Sequence, residues 1–393
     1  MSGHSHRPLT GREAAEQAPA GWWVDDGTLT AGYRTGSMVR SVQFVDAVTA
    51  AAEAAEHHPD VEIHYGTVRF VLTTHDAGGL TDADVGLALM IAAIALEWRI
   101  DPVPPPADRT LRLVWPQWQG AGQETVAELL PEVALERARR GYAVGAQVLD
   151  AVLPSRGRST AHVVVDDEDE PVTEGIESRG VLAESLEGAL DALARNDFDR
   201  VVTIGGDCSV SIAPFAALAE RYGDDLAVVW LDAHPDVGTP DSAYPGFHAM
   251  AAAVLTGHGD AEMVELLPAT VPAERMALAG LHEWTDDDFP NIADWQLASF
   301  GPEALATSTA PLLDWLRSTG AGKVAIHLDV DVVDADEAVL GLGQVRGGLS
   351  TAQVRRVIDD VAGAAEVVGV TIAEFIPRNV LAAQRLLDGL PLL

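Results

Sequence analysis

The chain has 393 residues, 48% of them hydrophobic, with a mean hydropathy of +0.10, which is material for two or three domains with buried cores. A formal charge of −35 argues against nucleic acid and anionic membranes as partners and suits a small cationic substrate. The longest apolar run, VGLALMIAAIAL (85–96), is too short to span a bilayer, no secretory signal is evident, and the single cysteine excludes an internal disulfide. A cytoplasmic location is the expectation.

Residues 1–19 read as a flexible tail. The stretch 41–58 places Val42, Val45, Val48 and Ala52 at helical spacing. Alternation through Val61, Ile63 and Tyr65, then through Val68, Phe70 and Leu72, predicts two strands meeting near Gly66. Thr81 or Asp82 is placed to cap a further apolar helix, so 20–100 is expected to be a small α+β domain. The segment DPVPPPADR (101–109) predicts a stiff spacer. Beyond it, 110–393 has another rhythm. Continuous apolar runs at 200–206, 226–234, 323–331 and 366–375 alternate with helical stretches such as 186–196 and 351–365. Strands buried on both faces predict a mainly parallel α/β sheet. The acidic run DDEDE (166–170) reads as a solvated loop.

Three of those runs end in polar clusters, GGDCS, DAHPD and LDVDVVD. Ligands of open α/β sheets gather at the carboxyl ends of strands, so the clusters should converge. Residues two apart share a face in extended chain, which pairs Asp232 with His234 and Asp329 with Asp331. Any one aspartate at a strand end is commonly a turn former or a helix cap. Several carboxylates and an imidazole aimed at one crevice repel one another unless cations sit among them. That donor set suits Mn, Zn, Ni or Fe, and its carboxylate content suggests two bridged ions. Cys208 stands in the first cluster as a metal ligand, a nucleophile or an inert buried thiol.

From about residue 111 onward the chain resembles the arginase, or ureohydrolase, family. The resemblance rests on GGDCS where the family shows GGDHS, on DAHPD, and on HLDVDVVDA where the family shows SxDxDxxDP. It implies a three-layer α/β/α fold and a binuclear manganese site. Asp232 and Asp329 would bridge the ions, Asp236 and Cys208 would complete one, and His234 and Asp331 the other. The implied reaction is attack by a metal-held hydroxide on a guanidinium or related amidine carbon. His248, in YPGFHAM, matches the family's proton-shuttling histidine, and Glu374, in TIAEFIP, the glutamate that holds the guanidinium. Cys208 replaces a family histidine, and a thiolate, being softer, favours Zn, Ni or Fe over Mn. Gly238 stands where arginases carry a substrate-gripping asparagine, and YPGF replaces their polar stretch before the shuttle histidine. These losses demote L-arginine in favour of another guanidino, hydroxyguanidino, ureido or formimino compound. His327 takes a position usually held by serine and adds a polar group near the site.

The stretch EAAEHHPDVEIHYGTVRFVLTTHDAGGLTDAD (53–84), with GWW upstream, resembles pterin-4a-carbinolamine dehydratase. The resemblance implies that His57, His58 and His75 surround the hydroxyl-bearing carbon of a pterin carbinolamine. His57 and His75 would be the acid–base pair and His58 a positioning group, with no cofactor. Histidine titrates near neutrality and can perform both proton transfers. Adjacent histidines on a helix would point to different faces, which makes a metal pair the poorer reading. The expectation is therefore a bifunctional homo-oligomer acting on small molecules. Its rivals are a metal-poor larger domain serving as a scaffold, or one using Cys208 as a thiol nucleophile.

Overall fold

The computed structural model describes residues 7–393, so the first part of the expected tail lies outside the described residues. Two compact units result. The first takes the chain up to Arg109 together with Asp191–Asp199, and the second takes Thr110–Leu190 and Arg200–Leu393.

The first unit opens on a helix, Gly11–Gln17, inside the stretch expected as a tail. Thr10 and Glu13 form a capping box at its start, and Ala14 is buried in the core. Strands β1 (Trp22–Asp25) and β2 (Thr28–Arg34) then pair across Asp26 and Gly27, both in the left-handed region with φ of 44° and 69°. This tight turn matches the twist of a hairpin. The next helix is Met38–Ala55, and its buried stripe is Ser41, Phe44, Val48 and Ala52. Val42, expected inward, is exposed, because it lies two residues, or about 200° of helix, from Phe44. Strands β3 (Asp60–His64) and β4 (Thr67–Leu72) form the expected pair. Thr81 caps the helix Asp82–Glu97 in a capping box with Asp84. Of the Pro-rich segment, Asp101–Pro102 forms a short strand, β5, against β2. The sheet is antiparallel, in the order β1-β2-β4-β3, with β5 beside β2. Tyr33, Phe44 and Phe70 pack edge to face at its centre, with centroids 5.4–6.0 Å apart.

The second unit is a three-layer α/β/α fold. Its strands are β6 (Thr110–Trp115), β7 (Thr160–His162), β8 (Arg200–Gly205), β9 (Leu226–Leu231), β10 (Met276–Ala279), β11 (Ala298–Phe300), β12 (Lys323–Asp329) and β13 (Glu366–Ala373). They form one sheet in the order β11-β10-β9-β12-β13-β8-β6-β7, with every pairing parallel. Helices including Gly141–Val152, Ile212–Tyr222 and Thr351–Ala364 connect them. The four strands that carry the polar clusters and Glu374 are neighbours. Their registers, Leu328 opposite Leu231, Asp329 opposite Ala373 and Ile372 opposite Ile204, bring the carboxyl ends level. Gly206 is required at the end of β8, since a Cβ there would lie 1.7 Å from the carbonyl oxygen of Gln117. The acidic run 166–170 does more than solvate a loop. Asp169 lies 2.7 Å from Arg139, a buried guanidinium that also pairs with Glu177 at 2.6 Å, and buried charge demands such partners. Among the described residues no helix is long and apolar enough to cross a membrane.

Candidate metal centre and the histidine site of the first unit

In the second unit the strand ends deliver their side chains to one buried crevice. Cys208, the first residue of a 3-10 turn after β8, is 1% exposed. Its Sγ lies 3.2 Å from Asp329 Oδ2 and 4.0 Å from Asp232 Oδ2. Asp232 follows β9. Its Oδ1 accepts the His234 backbone N–H at 2.7 Å and its Oδ2 accepts the Trp230 indole N–H at 3.1 Å. Asp329 ends β12 and accepts the Asp331 backbone N–H at 2.7 Å. His234 Nδ1 stands 3.2 Å from Asp331 and 3.5 Å from Asp232. Asp236 is held with φ at 51°, a strained conformation for a non-glycine residue. By contrast Asp207, the aspartate of GGDCS, turns to the Gly120 N–H and to Ser209. It serves as a helix cap.

The donor atoms fall into overlapping groups, each within 4.8 Å: Cys208, Asp232, Asp236 and His327; Asp232, His234 and Asp331; Cys208, His248 and Glu374. All six sequence-predicted ligands therefore meet in one place, with Asp329 entering through its contact with Cys208. Two carboxylate oxygens, Asp236 Oδ2 and Asp331 Oδ1, are buried without a hydrogen-bond partner. Burial and then the charge of Asp232 push Asp236 well above the usual carboxylate range, and burial and then Asp331 do the same to Asp329. Burial likewise pushes the Cys208 thiol up, with Asp236 and Asp329 adding to it. Burial would also raise Asp232, but His234 and His327 hold it low. A site that disfavours charge on its own carboxylates has too little positive charge for its donors, which is the condition a divalent cation relieves.

Glu374 follows β13 with φ at 64°, fixed by its backbone N–H donating to Gly206 at 2.7 Å. Its Oε1 accepts the Cys208 backbone N–H at 3.0 Å and lies 3.0 Å from His248 Nδ1. His248 Nε2 is 2.8 Å from the Tyr244 hydroxyl, which accepts the Gly122 N–H. Burial opposes charge on His248, yet Tyr244 and Glu374 hold its pKa well above the ordinary value. These groups line a cavity of about 370 Å³ whose wall includes Leu129, Tyr142, Trp284 and Leu342, with Glu283 and Asp288 but no arginine or lysine among the described residues. Tyr142 and Tyr244 escaped the sequence reading. For Tyr244 the signal was its place four residues before His248.

In the first unit, Glu56 turns left-handed (φ 52°) and ends the helix, so His57 and His58 lie just beyond it rather than on it. His57 Nε2 is 2.7 Å from Oδ1 of Asp84, a fully buried carboxylate. Asp84 Oδ2 accepts from the Thr81 N–H, the Thr81 hydroxyl and the Thr74 hydroxyl at 2.7–3.2 Å. Asp84 thereby ties His57 to the residue next to His75, which opens an exposed 3-10 turn. His58 is exposed and pairs with Glu53 at 3.1 Å.

The model of the arginase family matches residues 136–384, and that of the pterin 4 alpha carbinolamine dehydratases matches residues 7–94. An arginase of Staphylococcus aureus is 29% identical over 38% of this chain, which spans 51% of that relative's length. A putative pterin-4-alpha-carbinolamine dehydratase of Nostoc punctiforme is 42% identical over 22% of this chain and 95% of the relative. The crystal structure of Entamoeba histolytica arginase in complex with L-ornithine superimposes with a TM-score of 0.57 at 19% identity, covering 72% of this chain and 99% of that one. For the arginase of Bacillus caldovelox the values are 0.56 and 19%, covering 71% and 96%.

Proposed function

The chain belongs to the arginase family through its larger unit and to the pterin-4-alpha-carbinolamine dehydratase family through its N-terminal one, and from that premise we propose a bifunctional enzyme. The larger unit hydrolyses the C–N bond of a guanidino or related amidine compound at a two-ion centre, and the smaller one dehydrates a 4a-hydroxytetrahydropterin. The observation that carries the first activity is the convergence of buried donors with orphaned carboxylate oxygens at Asp236 and Asp331. Asp232 and Asp329 would bridge two divalent ions, with Cys208 and Asp236 on one and His234 and Asp331 on the other. Manganese fits the oxygen-rich part, while the thiolate admits Zn, Ni or Fe. The chemistry such a pair supplies when bound is activation of water at neutral pH and stabilisation of charge building at the attacked carbon.

The chain's own residues do the rest. Glu374 is placed to receive the N–H groups of a cationic amidine by charge-assisted hydrogen bonds. His248, 3.0 Å from Glu374, stands ready to pass a proton to the departing nitrogen. For a guanidinium, adding one water then yields an alkylammonium and urea. The cavity wall carries no arginine or lysine to pair with a carboxylate tail, and a side chain at position 238 would lie 2.9 Å from the Ala249 carbonyl. Both support a substrate other than L-arginine. In the smaller unit, Asp84 holds His57 for proton transfer with His75, His58 positioning the pterin, and no cofactor is required. The five exposed positions of edge strand β3 support a homo-oligomer. The charge of −35 argues against nucleic-acid and membrane partners, and the free thiol fits a reducing, cytoplasmic setting.

Elemental analysis, followed by turnover of a panel of guanidino, ureido and formimino compounds with and without chelator, tests the first activity. Ultraviolet detection of dihydropterin formation tests the second. A protein that holds no ion and ignores chelator would leave the larger unit a scaffold or a thiol hydrolase.

A further inference from the structure

We propose that His327 is itself a metal ligand, so that one ion of the centre sits among Cys208, Asp232, Asp236 and His327 and differs in chemistry from its neighbour. The inference rests on the two-ion reading above and extends it to a residue outside the six.

His327 lies on β12, two residues before Asp329 and therefore on the same face of the strand. Its ring is 0% exposed and stacks on Trp230 with centroids 3.7 Å apart and planes 11° from parallel. Its Nδ1 is 2.7 Å from the Ser211 hydroxyl. Orientation and one nitrogen are thus fixed by groups outside the cluster, which is how a ligating imidazole is usually held. The other nitrogen, Nε2, is buried and has no hydrogen-bond partner. The Asp232 carboxylate, at 3.6 Å, is too far to be one. Asp236 Oδ2 is orphaned in the same way.

Trp230 and Ser211 already seat the ring, and its remaining nitrogen faces the Asp232 carboxylate within the donor group that includes Asp236 and Cys208. The four donor atoms lie within 4.8 Å of one another. Metal bonds of about 2.0–2.3 Å place tetrahedral donors roughly 3.3–3.8 Å apart, so closing on an ion needs shifts of about 1 Å. One sulfur, one nitrogen and two carboxylates suit a borderline ion such as Zn, Ni or Co. The group Asp232, His234 and Asp331 has no sulfur and is the harder partner. The centre is therefore built for two unlike ions, with Asp232 common to both groups and Asp329 beside the sulfur.

The test begins with the full-length protein loaded with one equivalent of zinc and examined by X-ray absorption. One sulfur and one imidazole on the same ion are expected, and a sulfur shell without imidazole overturns the proposal. In parallel, His327→Phe keeps the stacking on Trp230 and removes the lone pair. Cobalt and zinc titrations should show the sulfur-bearing site weakened by about 10–100-fold, with the thiolate-to-cobalt charge-transfer band shifted at equal loading of that site. Ser211→Ala should keep that band. A His327→Phe protein that holds both ions as tightly as its parent, with an unchanged cobalt spectrum, overturns the role of His327 and leaves the two-ion reading standing. A parent that binds no ion overturns both.

Discussion

Replacing Asp84 by asparagine should stop the dehydratase without unfolding it, and the reason lies in the hydrogen-bond count. Asp84 Oδ2 takes three donors, one of them the backbone N–H of Thr81, which can only donate. An asparagine must therefore keep its carbonyl oxygen there and turn its NH₂ toward His57, 2.7 Å away in the parent. Facing a donor, His57 Nε2 becomes an acceptor and the ring proton moves to Nδ1, so the nitrogen left for the pterin changes from base to donor. General acid–base catalysis contributes about 10²–10⁴-fold, and most of that should disappear from kcat. Exchanging charge-assisted hydrogen bonds for neutral ones costs roughly 1–3 kcal/mol of stability. Asp84→Ala, which also strands the Thr81 N–H and breaks the capping box, should cost about 2–5 kcal/mol. The assay is kcat against pH for both variants beside denaturant melts. An Asp84→Asn protein with the parent's kcat and pH profile would show that Asp84 does not set the tautomer, and the reasoning fails.

Two further outcomes follow from charge. Given a guanidino compound with an apolar or amine tail and its carboxylate-bearing analogue, kcat/KM should favour the first by roughly 10²–10³-fold, because the wall away from the donor cluster presents Glu283 and Asp288 and no arginine or lysine to a carboxylate tail. Equal initial rates would contradict this. Burial pushes the Tyr33 phenol up from 10.0 to about 12 although the Trp22 indole donates to it. The unfolded chain loses its phenolic proton near pH 10 while the folded unit retains it, so stability is whole below pH 10 and falls as pH rises toward 12. The loss is roughly 2–3 kcal/mol, and Tyr33→Phe should flatten it in denaturant titrations of the first unit followed by tryptophan fluorescence.

What could be read from the chain were patterns confined to one segment. The strand-end clusters announced themselves because strand period and polar spacing coincide at Asp232 with His234 and at Asp329 with Asp331, and a parallel sheet leaves one end for them to meet. The hairpin of β1 and β2 carried its signal in Asp26-Gly27, and the first helix carried one in Thr10 and Glu13, but both lie in stretches too short for periodicity to show. Val42 was misplaced because its neighbour Phe44 fills the core and sets which side of the helix turns inward. Tyr244 and Tyr142 reach the cavity from loops and helices far along the chain. Their roles depend on contacts such as that with Gly122, 122 residues away, which no local pattern encodes.

Cys208 is where the rival chemistries part, and its conversion to serine separates them. The thiol donates to Asp329 at 3.2 Å, and a hydroxyl can take over that bond. Softness and the readily formed anionic charge of a thiolate are lost. If Cys208 is a ligand, Cys208→Ser should bind zinc more weakly relative to manganese, on the order of 10–100-fold, the scale of losing even an outer partner of a ligand. It should still turn over substrate when manganese is supplied. If Cys208 is the nucleophile, it must ionise among carboxylates while burial and then Asp236 and Asp329 push its pKa upward, and His248 within 4.8 Å is the base at hand. That route predicts a serine variant dead with every metal and a parent that survives chelation. Competitive zinc–manganese titration and initial rates on the same two proteins distinguish them. Activity that persists in the chelated parent but vanishes from Cys208→Ser with manganese present would refute the metal centre, because thiolate chemistry alone loses its nucleophile with the sulfur and keeps it without ions.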